Sequence, residues 1–254
     1  MVLNNRTDTF YWKQHFSIYK DRVVRFENVP QHDLLKKYLK KDPQKTCIEI
    51  GAFPGTILGY FAKEYHYQPT ALDFLQDLNL IRANMQYNGI NNCEIIQADF
   101  TEWVPAKLYD VVCSFGFIEH FECYTEIIKK HYDILKPGGL MIITVPVLHG
   151  LQLWIRQLLY KKKHYRKIIK SHNTKIMRLR ELKRVVFGLL EAEKLEARYY
   201  RGMTIWFKMD QVTTRTWLIP LYKGLKFVEK VISLLNISHA LISPEIIIIA
   251  RKPH

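Results

Sequence analysis

A carboxylate in a strand, a glycine turn behind it and a second carboxylate one βαβ unit later are the residues of this chain whose spacing suits a ligand. Glu49 lies in the β-prone run Cys47-Ile48-Glu49-Ile50, which empties into Gly51-Ala52-Phe53-Pro54-Gly55 and then into a helical pattern. Strand, tight turn and helix N-terminus in succession make a nucleotide-binding turn. In the dinucleotide form of such a turn the middle glycine lets backbone approach a pyrophosphate at the helix N-terminus. Here that position is Phe53, and Pro54 after it has no N–H to give. Glu49 beside the turn welcomes an ammonium or sulfonium and repels a diphosphate. The turn therefore suits a nucleoside ligand without phosphates. Asp73, closing the strand pattern at 68–74, stands where a carboxylate can accept from both hydroxyls of a ribose.

The string E-I-G-A-F-P-G resembles the first motif of the class I S-adenosylmethionine (SAM) dependent methyltransferases, acid-x-Gly-x-Gly-x-Gly, departing from it at Phe53. The resemblance implies SAM as cofactor, held by Glu49, Gly51, Ala52, Phe53 and Gly55 at the turn and by Asp73 and Phe74 at the ribose. It implies that Asp99, ending the run CEIIQADF, accepts from the adenine amino group and that Phe100 flanks the ring. It also puts Ser114, Phe115 and Gly116, at the end of the strand YDVVCSF, toward the methyl group. LKPGG at 135–139, before the apolar run LMIITVP, is a further feature of that family.

These landmarks need a sheet that brings strand ends together. The order of patterns predicts an α/β fold, a three-layer Rossmann-like sheet of seven mostly parallel strands whose last strand, 244–251, enters antiparallel at the sheet edge. Residues 8–41 read as helices forming a lid (1–42), followed by the SAM-binding core (43–150). A basic helical insertion (151–192) precedes the sixth strand, placed at 196–200. The remainder (193–254) carries an amphipathic helix at 217–236 whose polar face holds Lys223, Lys226 and Lys230.

Methyl transfer to a hydroxyl requires loss of a proton, and histidine is the usual base. His120 after the fourth strand, His149 after the fifth and His172 in the insertion are the candidates. Ile118-Glu119-His120 also resembles metal-assisted O-methyltransferases of quinone synthesis and small-RNA 3′ ends. That pattern carries an acid three places earlier, where this chain has Gly116, so no metal is expected.

The net charge of +14 is concentrated: residues 151–184 hold twelve basic side chains against the single acid Glu181. Such a patch attracts polyanions, whether an anionic membrane surface, a phosphorylated acceptor or nucleic acid. Four scattered cysteines without a C-x-x-C pair argue for a reducing, cytoplasmic setting. No apolar run is long enough to span a bilayer, so the chain is expected to be soluble or peripheral at the inner face of the membrane. The leading reading is an O-methyltransferase for a small or lipid-linked, sugar-type acceptor, similar to methyltransferases of surface-glycan pathways. Membrane contact is assigned to 151–184 and 217–236. RNA methylation through the basic insertion is a second reading, disfavoured because no RNA-binding module is present. A non-catalytic SAM-binding protein is a third.

Overall fold

The computed structural model describes residues 6–16, 23–27, 29–75, 78–159, 162–200 and 238–254, with 220, 223, 224, 227, 228, 230 and 231. Seven strands form one sheet in the order β3-β2-β1-β4-β5-β7-β6. In chain order they are β1 (Thr46–Ile50), β2 (Gln68–Asp73), β3 (Glu94–Gln97), β4 (Tyr109–Phe115), β5 (Leu135–Pro146), β6 (Glu193–Tyr200) and β7 (Glu245–Arg251). The pairs β1·β2, β1·β4, β2·β3 and β4·β5 are parallel; β7 runs antiparallel to both β5 and β6. The strand order reverses between β1 and β4, the crevice where ligands sit in open α/β sheets.

The central strands are apolar at almost every position because both faces are covered. Ile48, Val112, Met141, Ile143, Ile246 and Ile248 point into one core, with α5 (Tyr124–Asp133) and α8 (Leu179–Lys183) on that side. Cys47, Val111, Cys113, Ile142, Ile247 and Ile249 point into the other, against α3 (Thr56–Tyr65) and α4 (Asn79–Tyr87).

Several boundaries differ from the sequence reading. The final strand is not at the edge: β7 lies between β5 and β6, and β6 is the border strand. The reason is visible in composition, since Ile246 to Ile249 are wholly buried whereas EKLEARYY carries charge suited to a sheet border. LKPGG does not precede β5 but belongs to it, as a bulge that shifts the β4 register between Tyr109 and Val111. The third strand stops at Gln97, short of Asp99 and Phe100. The sixth begins earlier than expected, at Glu193.

The N-terminal stretch is only partly helical, with α1 (Thr9–Phe16) and the single turn α2 (His32–Leu35). Between them residues 23–27 are neither helix nor strand, and two asparagines of the α4 region bond their backbone. Val24 N–H donates to Asn84 Oδ1 (2.8 Å), Phe26 N–H donates to Asn88 Oδ1 (2.7 Å), and Asn88 Nδ2 returns a bond to Val24 O (2.8 Å). The Phe26 ring occupies the space where a side chain at Gly59 would stand, so this strap lies directly on α3. The basic insertion folds as α6 (Gly150–Leu159), α7 (Lys162–Ser171), α8 and a π-helical turn, Arg184–Leu189. Most of the helix expected at 217–236, including Lys226, lies outside the described residues; those described there are helical.

One core group ties stability to pH. His131 of α5 is fully buried, with its Nδ1–H on Ile127 O (2.8 Å), no partner for Nε2, and its ring 4.8 Å from that of Phe100. Burial pushes its pKa down from 6.5 to about 4. The unfolded chain therefore binds the proton more readily, and stability from this site is present above pH 6.5 and lost as pH falls toward 4. The slope approaches ~1.4 kcal/mol per pH unit. Urea unfolding of wild type and His131→Leu at pH 7 and pH 5 will show a smaller acid-induced loss in the variant.

Candidate functional site

The C-terminal ends of β1, β2 and β3 lie side by side. Ile50 pairs with Leu72 and Asp73 with Gln97, which sets Gly51, Asp73 and the residues just after β3 in one row. Gly51 (φ 72°) bends the chain out of the sheet, and a side chain there would come within 2.7 Å of the Phe117 ring. Gly55 (φ 91°) starts α3, and the Phe53–Pro54 peptide is cis.

Every amide of the turn is spent inside the protein. Gly51 and Ala52 N–H donate to Leu72 O (2.9 and 3.2 Å), Phe53 N–H to Asp73 Oδ2 (3.0 Å) and Gly55 N–H to Ala52 O, while Pro54 has none. The amides of residues 51–55 are thus not free for a phosphate. Asp73 also accepts from Leu75 N–H on Oδ1 (3.0 Å), and Glu49 accepts from Leu58 N–H in the first turn of α3 (2.8 Å). Burial raises the pKa of both carboxyls, and at Glu49 the neighbouring Asp73 adds to the rise. Two buried acids beside one turn favour a ligand that brings positive charge and hydroxyl donors without a diphosphate, as SAM does.

The remaining residues of this region divide into exposed and buried roles. Asp99 spends Oδ1 on Thr101 N–H and Oγ1–H (both 2.8 Å), so it shapes the turn after β3. Phe100 is buried against Phe117 and His131 rather than open to the crevice. Phe74 follows Asp73 and is half-buried; the Phe53 ring lies tilted, 4.7 Å from that of Phe16 on α1. At the end of β4, Ser114 is fully buried with no partner for Oγ. Phe115 packs on Phe61, and Gly116 takes φ 67° while its N–H meets Thr144 O.

Beyond β4 comes a 3-10 turn, Ile118–His120, and here two of the three candidate histidines meet. The rings of His120 and His172 are 4.7 Å apart, and one donor atom from each of Glu119, His120 and His172 lies within 4.8 Å of the others. The junction is made by Asn173, whose N–H donates to Glu119 O (2.6 Å) and whose Nδ2 donates to Phe121 O (3.2 Å). His120 Nδ1 lies 2.8 Å from Ser171 O. Burial lifts the Glu119 carboxyl to about 8. Burial and the neighbouring His172 lower the His120 imidazole to about 3.

α1 covers this cluster. The Trp12 ring stands edge-on to His120 at 4.8 Å, Tyr11 OH reaches Ser171 Oγ (3.3 Å), and Arg6 bonds His172 O (2.9 Å) and Glu122 (2.8 Å). Lys167 of α7 lies 5.1 Å over the Tyr11 ring. His149 is elsewhere, its Nε2 3.4 Å from Tyr199 OH beside β6. Sequence reasoning did not single out Asn173, and it placed Tyr11 and Trp12 in the N-terminal lid without assigning either to the site.

A methyltransferase domain model matches residues 11–186, more than two thirds of the chain. The chain belongs to the methyltransferase domain family, whose methyl donor is SAM. Among solved structures, it is similar over 97% of its length to phosphoethanolamine N-methyltransferase 2 of Haemonchus contortus in complex with SAM (TM-score 0.60, 18% identity), covering 58% of that chain. It is also similar over 99% of its length to a structure from a Haloferax volcanii complex of the Trm112 methyltransferase activator with a methyltransferase (TM-score 0.60, 14% identity, all of that chain covered). A curated relative, Probable (S)-tetrahydroprotoberberine N-methyltransferase 2 of Papaver bracteatum, is 25% identical over 114 residues, 44% of this chain. The chain spans about a third (32%) of that relative's length. The structural likenesses establish the fold of this methyltransferase; the acceptor does not follow from them.

Replacing Asp73 by Ala removes the acceptor beside the turn and leaves Phe53 N–H unpaired. Hydrogen bonds to a charged group contribute ~1.5–3 kcal/mol, so SAM affinity measured by calorimetry will fall roughly 10- to 100-fold.

Proposed function

We propose that this methyltransferase transfers the SAM methyl group to a hydroxyl of a small or lipid-linked, sugar-type acceptor seated beside Glu119, His120 and His172. The observation that carries the reading is the continuity of two sites through Phe117. Its ring lies against Gly51 of the cofactor turn, and three residues later His120 enters the cluster with His172. SAM, when bound, supplies an already activated methyl group on a sulfonium. The protein's part is to hold an acceptor in line with that methyl, which is worth up to ~7–11 kcal/mol, and to help its hydroxyl lose a proton. Asp73, Glu49 and the turn fit the donor. The imidazoles of the β4 loop and the insertion fit the acceptor's hydroxyl, under the cover of Tyr11 and Trp12. Substituting His120 by Asn will lower turnover ~10²- to 10⁴-fold while leaving the SAM dissociation constant unchanged, measured as S-adenosylhomocysteine release over an acceptor panel. Equal turnover with unchanged acceptor KM would sink the assignment.

A nitrogen acceptor is the alternative within the same site. The names of two similar proteins specify N-methyltransferases, and Tyr11 and Trp12 beside a buried acid suit a cation. Product analysis of the same panel separates the two.

The lipid-linked acceptor and the inner membrane surface rest on α6 and α7. Lys162, Lys163, Arg166, Lys167 and Lys170 are exposed along α7, and Trp154 (60% exposed) and Leu151 stand out from α6. Basic side chains with exposed apolar ones suit an anionic interface. Among the described residues no helix is long and apolar enough to cross a membrane. Association with phosphatidylserine-containing liposomes is expected to weaken with salt, and to drop further in Trp154→Ala and in Lys162→Glu/Lys163→Glu, read by co-sedimentation.

A further inference from the structure

We propose that Glu119, His120 and His172 form a binding site for one divalent first-row transition-metal ion. Three features carry this. The donor set is two imidazoles and a carboxylate, from two segments 52 positions apart that meet with one donor atom of each within 4.8 Å of the others. Ligands of one such ion stand closer than that, so binding draws the three inward by roughly an ångström.

The second feature is the orientation of the rings. His120 Nδ1 lies 2.8 Å from the carbonyl of Ser171, and a carbonyl only accepts, so that nitrogen carries the proton and the lone pair is on Nε2. His172 Nδ1 lies 2.7 Å from the Ile168 carbonyl, which fixes the same tautomer. Ring N–H groups donated to backbone carbonyls are the usual outer support of metal-ligating histidines. The shell continues outward: the Ser171 hydroxyl donates to Ile168 O (3.0 Å), so Tyr11 OH is the donor to Ser171 Oγ.

The third feature is an orphan. Glu119 is 1% exposed, its Oε1 lies 3.8 Å from His120 Nε2, and its Oε2 has no hydrogen-bond partner. A buried carboxylate oxygen without a partner is costly, and a cation would satisfy it. The missing acid at Gly116, which argues against a metal on sequence grounds, removes one ligand and leaves three. Three protein ligands keep coordination positions open for an acceptor oxygen, as catalytic rather than structural sites do. Imidazole donors select zinc and its neighbours over magnesium, which prefers oxygen.

The use of such an ion in methyl transfer rests on the function proposed above; its binding does not, and the two are separable. Metal-free protein, prepared with a chelator and then desalted, is titrated with zinc, manganese and magnesium chlorides while calorimetry and thermal melting are followed. The expected result is one zinc ion per chain with a raised melting temperature, and no saturable magnesium response. Glu119→Gln and His172→Ala should each weaken zinc binding by more than the ~10–100-fold that outer-shell partners contribute. His149→Ala should leave it unchanged. The melting curve of each metal-free variant reports folding, and the half-exposed His172 gives an arm independent of the buried Glu119. Absence of saturable zinc binding, or binding that survives both ligand substitutions, overturns the site. SAM binding by the metal-free protein, measured in parallel, shows whether the methyltransferase reading stands regardless.

Discussion

The buried carboxylate of Asp73 holds the site in shape. One oxygen accepts from Phe53 in the cofactor turn and the other from Leu75, just past its own strand, so a single side chain pins the ends of β1 and β2 together. The sheet register allows it, since Ile50 and Leu72 are partners and the next residues of both strands leave the sheet at the same level. The arrangement is electrostatically one-sided. With the turn's own amides paired internally and Glu49 also buried nearby, the crevice offers acceptors and negative charge but no anion cradle. A methyl donor carrying positive charge and ribose hydroxyls matches these acceptors.

The second half of the site is assembled differently. Glu119 and His120 sit on a short turn behind β4, and His172 arrives from the insertion only because Asn173 bonds the backbone of the same turn. The two segments share the Asn173–Glu119 backbone bond, the contact of His120 Nδ1 with Ser171 O and a cover of aromatic side chains from α1. Precision here comes from main-chain hydrogen bonds rather than from a rigid strand.

The core was legible because its signals are local. Gly51, Gly55, Asp73 and the all-apolar strands each follow from their own sequence neighbourhood, and α3 and β4 fall at the predicted residues. Three things were not legible, for related reasons. The place of β7 depends on which neighbours bury it, and an isoleucine run says only that both faces are covered. The strap at 23–27 is set by Asn84 and Asn88, about sixty residues away, which overrule the helical pattern of the surrounding stretch. The meeting of His120 with His172 is a contact across 52 positions that no periodicity encodes; both were candidates, but so was His149, which the fold sends to Tyr199. Asp99 and Phe100 illustrate a subtler gap, since they follow the third strand in the expected order while the strand ends earlier and Phe100 turns into the core.

Helix α7 faces two ways. Its outward lysines and arginine make a basic surface, while its last turn supplies the Ser171 oxygens that hold Tyr11 and His120, and Lys167 rests on the Tyr11 ring. The cover of the histidine cluster is thus anchored on the same helix that carries the basic face. A displacement of α7 would carry the Tyr11 and His120 contacts with it, which makes the outer charge and the inner cluster parts of one lever.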